Sequence, residues 1–156
     1  AAIYAVPKIA LLPLVFLVFG TGEAGKYVIV GVSIFFLVLV NTMAGVVELD
    51  PVFRDVARNL GASRFQLFRT VAFPGALPAI FTGLRLAMGF SLVVVVGTEF
   101  VRSRDGIGRF IYDAYEVLAI PEMFVGLIVT GVMGWLLTMA IDLVERRLLP
   151  WRPADA

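Results

Sequence analysis

Charged positions divide this chain into long apolar runs separated by short polar stretches. Ile9 to Gly22 is 14 uncharged residues between Lys8 and Glu23, short of the ~20 needed to cross a bilayer as a helix. Taking in Ala1 to Val6 makes it long enough, at the cost of Pro7, Lys8 and Pro13 within or beside it. A proline-broken helix is tolerated in a membrane only where neighbouring protein satisfies its backbone, so this segment reads equally as a kinked packing helix or as one lining a pathway. After a glycine turn at residues 20–25, Tyr27 to Val47 gives 21 uncharged residues, a clear span with an interfacial Tyr at its outer end. Asn41 and Thr42 near its inner end suit bonding to backbone or neighbouring helices more than ligand contact.

The next span runs from Phe81 to Val101. Arg85 stands near one end, where its long stem can snorkel to the interface, and Glu99 lies about 21 Å further along at 1.5 Å per residue. Ala87 and Ser91 have the small-xxx-small spacing of close helix contact. Residues 102–122 form a polar connection holding a short amphipathic helix, with Ile107, Phe110, Ile111, Ala114 and Val117 on one side. That helix reads as an interfacial lid resting on the bundle, and alternatively as part of a docking surface. Met123 to Ile141, 19 uncharged residues, is the last span. Thr130 and Gly134 repeat the small-residue spacing, Asp142 and Glu145 are expected to meet Arg146 and Arg147, and Trp151 to anchor in the headgroups. The pattern predicts an all-α membrane protein with about four transmembrane helices.

One stretch breaks the apolar rhythm. Asp50 to Ile80 reads DPVFRDVARNLGASRFQLFRTVAFPGALPAI, opening with an N-cap aspartate and a proline at the first helical position. Val52, Phe53, Val56 and Leu60 fall on one helical face, with Arg54, Asp55 and Arg58 off it. Gly61 stands where a helix C-terminus favours a residue tolerant of positive φ. Ser63 can cap a second short helix carrying Phe65, Phe68 and Val71. Pro74 and Pro78 are expected to stop that helix and redirect the chain.

This stretch resembles the EAA loop of permease subunits of binding-protein-dependent ABC importers. Asp55-Val56-Ala57 stands for Glu-Ala-Ala, Gly61 follows at the family's distance, Val71 takes the aliphatic place and Phe73-Pro74 that of Leu-Pro. Asp for Glu, Val for Ala and Phe for Leu are departures; Ala57, Gly61 and Pro74 hold. GALPAIFTGLRLAMG, LPLVFLVFGTGEAGK and ERRLLPW look most like the nitrate, sulfonate, taurine and bicarbonate branch, so the resemblance covers nearly the whole chain. It implies a type I importer (MetI-like) permease core, with residues 1–156 as one partial transmembrane permease domain and 50–78 as its cytoplasmic loop. The loop's first helix would then be the coupling helix, docking on an ATPase subunit through Val52, Phe53, Asp55, Val56, Ala57, Leu60, Gly61, Ser63, Phe65 and Pro74. The implied partners are an ABC ATPase dimer, a second permease copy, an extracytoplasmic substrate-binding protein and the lipid bilayer. The implied location is the bacterial inner membrane, multi-pass, and the implied solute is a small hydrophilic anion. Pathway or helix-packing candidates are Asn41, Thr42, Ala87, Ser91, Glu99 and Thr130. The chain opens without Met at Ala1, and permeases of this branch run longer at the N-terminus. A fragment lacking at least one upstream helix is therefore expected.

Composition agrees with the pattern. The chain is 60% hydrophobic and 16% charged, with mean hydropathy +0.96; soluble domains sit near 45–50% apolar and about 25% charged. A net charge of +1 argues against a nucleic-acid partner. With no Cys and no His, disulfides, thiol or imidazole catalysis and the usual zinc sites are removed. No Gly-x-x-x-x-Gly-Lys-Ser/Thr loop is present, and neither lysine lies near a serine in sequence, so no enzyme, cofactor or metal site is expected and ATP hydrolysis falls to another chain. Two other classes compete: a secondary transporter or ion pathway using Arg85, Glu99 and Asp142, and a structural membrane subunit. The first is disfavoured because all three charges lie near span ends; the second leaves the capped hairpin unexplained.

Basic residues set the orientation. With the loop inside, Lys8, Arg54, Arg58, Arg64, Arg69, Arg146, Arg147 and Arg152 are cytoplasmic, while Lys26, Arg102, Arg104 and Arg109 are outside. Eight against four favours a cytoplasmic loop and C-terminus. In a chain with no cysteine of its own, cysteines placed at Gln66 and Ala24 should therefore react with an impermeant thiol reagent from opposite sides of the membrane. Reaction of both in intact cells would refute this orientation.

Overall fold

A computed structural model describes residues 8–20, 22–103 and 105–151. Among these the chain is helical, with no strand. A 3₁₀ turn, Lys8–Leu11, leads into α1 (Leu12–Phe19); α2 is Glu23–Val47, α3 Pro51–Asn59, α4 Arg64–Leu67, α5 Phe73–Arg102, α6 Ile107–Glu116 and α7 Ile120–Leu148. Three helical runs are long and apolar enough to cross a membrane: Glu23–Val47, Arg64–Val101 and Ile120–Leu148. They contain the last three predicted spans and extend each of them. The first predicted span falls partly on residues 1–7, outside the described residues, as do Arg104 and Arg152 of the charge count. Its described part is only the 3₁₀ turn and the eight residues of α1.

The prolines do not stop the second hairpin helix. From Arg64 the helix passes through a π-helical stretch, Phe68–Ala72, into α5 with no intervening turn, and Pro78 lies inside α5. The reason is local. Pro74 has no N–H to offer the carbonyl four residues back, and in an ordinary turn its ring would collide there. A π turn moves the bonding one residue further, so the Phe73 amide donates to the Phe68 carbonyl. Such single-turn widenings are a known way for a helix to absorb a local insult. Beyond Pro78, the Thr82 hydroxyl donates to its carbonyl at 3.0 Å.

The described residues form two compact units, one of residues up to Phe36 with Ala87–Ala140, the other of Leu37–Leu86 with residues from Ile141 onward. In the first, Leu12, Ile29 and Val94 are buried together, with Leu11, Val15, Phe16 and Val30 packed on them. Lys26 is buried, and its Nζ donates to Glu23 Oε1 and to Ser103 Oγ, both at 2.8 Å; the Ser103 hydroxyl donates in turn to the Asp105 carbonyl. The predicted amphipathic helix is α6, and Ile111 and Ala114 are buried as expected. Val117 is not part of that face: it is 75% exposed, because α6 ends at Glu116 and the chain turns away. Leu118 there adopts φ 55, with its amide bonding the Tyr115 carbonyl and that of Ala119 the Ala114 carbonyl, a Schellman ending built without the usual glycine.

In the second unit, α2 and α5 approach closely. A Cβ on Gly83 would lie 2.8 Å from Asn41 Cβ and 3.3 Å from Val38 Cα, and one on Gly45 would collide with Ala79. Phe81 is buried here too.

The start of α6 depends on Glu99. Its N-cap, Gly106, has no side chain to accept a helix-end amide and sits at φ 126. Glu99, only 7% exposed, supplies the acceptor instead: Oε2 receives the Gly108 amide at 2.7 Å. The carboxylate also meets the positive end of the helix dipole. No Cβ fits opposite it, since one on Gly106 would fall on the carboxylate and one on Gly108 would lie 2.6 Å from the Val96 carbonyl oxygen. Removing the acceptor leaves a buried amide unpaired, a loss of about 1–3 kcal/mol. Glu99→Ala should therefore speed amide exchange throughout α6 and lower the melting temperature in detergent, with Glu99→Gln intermediate. Unchanged α6 protection in Glu99→Ala would show that the cap is dispensable.

Candidate functional site

The hairpin that the sequence singles out is shaped by its own ends. Asp50 Oδ1 accepts the Val52 amide at 2.9 Å and Pro51 occupies the first helical position, so α3 starts where the side-chain pattern places it. At its other end Gly61 has φ +79. Its amide bonds the Arg58 carbonyl at 2.9 Å, and the Ala62 amide bonds that of Ala57 at 3.0 Å, the paired bonds of a Schellman ending. Ser63 then opens α4 with a capping box: its hydroxyl accepts the Gln66 amide at 3.3 Å and its own amide donates to Gln66 Oε1 at 2.8 Å.

Neither α3 nor α4 contains a buried residue. Val52, Phe53 and Val56 are each more than half exposed, and Leu60 is 82% exposed. Together with Ala57 they line an open, largely apolar groove of about 630 Å³, whose other residues are Leu49, Thr70, Val71, Pro74, Gly75 and Trp151. Of the residues predicted to act in coupling, the structure thus brings Val52, Phe53, Val56, Ala57, Leu60 and Pro74 to one surface. Gly61 and Ser63 hold the turn beside it. Asp55 and Phe65 are exposed and do not line it. Trp151, read from sequence as a headgroup anchor, forms part of the groove wall.

A second cleft of about 460 Å³, more polar, is lined by residues including Asn41, Glu48, Asp50, Pro78 and Thr82. Of the pathway or packing candidates, Asn41 alone lines either cleft. Asn41 Nδ2 donates to the Leu37 carbonyl and Thr42 Oγ1 to that of Val38, both at 2.8 Å. Ser91 and Thr130 likewise bond the carbonyls of Met88 and Gly126, and Ala87 is a buried packing residue. These polar groups satisfy themselves on their own helices.

The charges of the ion-pathway alternative are engaged structurally. Glu99 caps α6. Arg85 is the partner the structure gives to Asp142 and Glu145: its Nε lies 2.7 Å from Asp142 Oδ1, and its Nη2 lies 2.6 Å from both Asp142 Oδ1 and Glu145 Oε2. A partly buried guanidinium within an apolar helix needs an acceptor close by, and two carboxylates one turn apart on α7 supply it. The spacing of Asp142 and Glu145 was the available signal; their partner lies 57 and 60 residues away, respectively, and left no local trace.

The chain can be compared with known proteins on this basis. It is 37% identical over 146 residues to the taurine transport system permease protein of Escherichia coli, covering 94% of this chain and 53% of that protein. It is 33% identical over 145 residues to the nitrate import permease protein of Synechocystis sp. (93% and 53%), and 32% identical over 145 residues to that of Leptolyngbya laminosa (93% and 52%). The chain thus spans about half the length of these relatives. The family model for a binding-protein-dependent transport system inner membrane component matches residues 1–152. With span-length apolar helices and a capped polar hairpin between two of them, this chain belongs to that family of inner membrane transport components.

Proposed function

We propose that this chain is the permease subunit of an ABC importer. It forms part of the translocation pathway for a small hydrophilic anion and receives motion from a separate ATPase subunit through the loop at 50–78, within a permease domain covering residues 1–156. The observation that carries this reading is the hairpin: two short helices, capped at each start and joined by a left-handed glycine, carry a largely exposed apolar face. The apolar face of α3, held outside the span-length runs by its own caps, suits docking on a soluble partner. The taurine and nitrate named for the relatives support a small solute with an anionic group, the sulfonate of zwitterionic taurine in one case and nitrate itself in the other. ATP hydrolysis belongs to the partner. An extracytoplasmic binding protein delivers the solute, and two permease copies enclose the pathway, so that closure of an ATPase dimer moves them as rigid bodies between inward- and outward-facing states.

Two outcomes test this. Gly61→Leu places a Cβ where φ is +79, a cost of roughly 1–2 kcal/mol, and sets a bulky side chain beside the docking face. Uptake in reconstituted vesicles should be lost while membrane insertion persists. Arg58→Ala, removing one exposed charge, should change uptake little, since exposed ion pairs are worth about 0–1 kcal/mol. Full uptake by Gly61→Leu with normal retention of the ATPase subunit would reduce the loop to a surface hairpin. Separately, the mass of the purified assembly should correspond to two permease and two ATPase copies; a complex holding a single permease chain and no second transmembrane subunit would contradict the pathway model.

A further inference from the structure

We propose that Arg85 is a positioning residue for transport, and that its ion cluster with Asp142 and Glu145 makes α5 and the end of α7 move together when the loop is displaced. This rests on the loop at 50–78 being the ATPase contact. Three observations within one compact unit carry it. First, α4 runs without a turn through the π-helical stretch into α5, so displacement of the hairpin acts directly on the helix that bears Arg85. Second, Arg85 contacts Asp142 and Glu145 near the end of α7 at 2.6–2.7 Å, and Glu145 is only 7% exposed. Third, just past the end of α7, Trp151 returns to the wall of the groove formed by Val52, Phe53, Val56 and Leu60. The segment just past α7 therefore shares a groove with the hairpin, and the end of α7 is bonded to α5.

The chemistry of the cluster suits a link that holds or releases. Apolar side chains can slide past one another with small changes in contact. A guanidinium fork shared between two carboxylates has a fixed planar geometry, and a small displacement forfeits its bonds together. An ammonium cannot reproduce the fork, so lysine should hold the link only in part. Asn41, Thr42 and Thr82 bond carbonyls of their own helices and do not replace it.

The test uses the complete permease reconstituted with its ATPase and binding protein, scoring ATPase retention, ATP hydrolysis and solute uptake per ATP. Arg85→Gln should keep the ATPase subunit bound while uptake per ATP falls by about tenfold, within the usual range of coupling between sites. Arg85→Lys should fall between it and the parent. Arg85→Glu should be uncoupled, and Arg85→Glu combined with Glu145→Arg, which retains one cation among two carboxylates, should recover part of the lost ratio. A parent-like ratio in Arg85→Gln overturns the inference. Should Arg85→Gln fail to insert, the exchange pair decides: a ratio no better than that of Arg85→Glu alone overturns it. Gly61→Leu measured in parallel separates the two readings, because retained ATPase and full uptake there refute the loop as the contact, whatever Arg85 does.

Discussion

A backbone surrounded by lipid has no water to bond, and most of this chain is arranged around that constraint. The three span-length runs keep their amides and carbonyls paired along the helix, and polar side chains in them turn back on their own backbone. Ser33, Asn41, Thr42, Thr98 and Thr138 all donate to carbonyls three or four residues earlier. Among the described residues no buried side-chain nitrogen or oxygen lacks a partner. The same constraint explains Pro74. Ending the helix there would strand several carbonyls near the start of a span, whereas a π-helical stretch keeps the chain helical. Breaking a helix in water is inexpensive by comparison, which is why a rule drawn largely from soluble proteins misplaced this boundary.

Charges in the apolar helices obey a stricter form of the rule, because each needs a partner as well as a bond. Lys26 has Glu23 and Ser103, Glu99 has the amide of Gly108, and Arg85 has Asp142 and Glu145. These contacts also decide where short elements sit. Without Glu99, α6 would begin at a glycine with no acceptor of its own, and α6 is where Ile111 and Ala114 are buried. Packing of α6 therefore depends on a side chain from the preceding helix.

What could be read from the sequence was what is encoded locally. Asp50-Pro51, Gly61 and Ser63 mark helix ends through their own backbone chemistry, and the structure places all of them as the spacing predicts. The last three spans followed from uncharged length. Pairings between distant residues could not be read. The Arg85 cluster joins positions far apart in the chain, and the amphipathic pattern that announced α6 said nothing of Glu99, which caps it from the preceding helix. Leu118 was missed for the opposite reason: it adopts the left-handed conformation of a helix ending without the glycine that normally announces one.

The hairpin remains the element least explained by folding alone. A nine-residue helix is marginal in water even with good propensity, and α3 gains little from burial, since none of its residues is fully buried. Its caps contribute about 1 kcal/mol each, enough to set its ends but not to offset the ordering of a segment whose apolar side chains stay in contact with solvent. A helix fixed at both ends yet exposing Val52, Phe53, Val56 and Leu60 would gain stability if that face were covered. The groove beside it already supplies one apolar wall from Val71, Pro74 and Trp151. The energetic deficit of the isolated loop and the proposed role of its surface are thus two aspects of one feature: the face that costs stability in the free chain is the face a partner would bury.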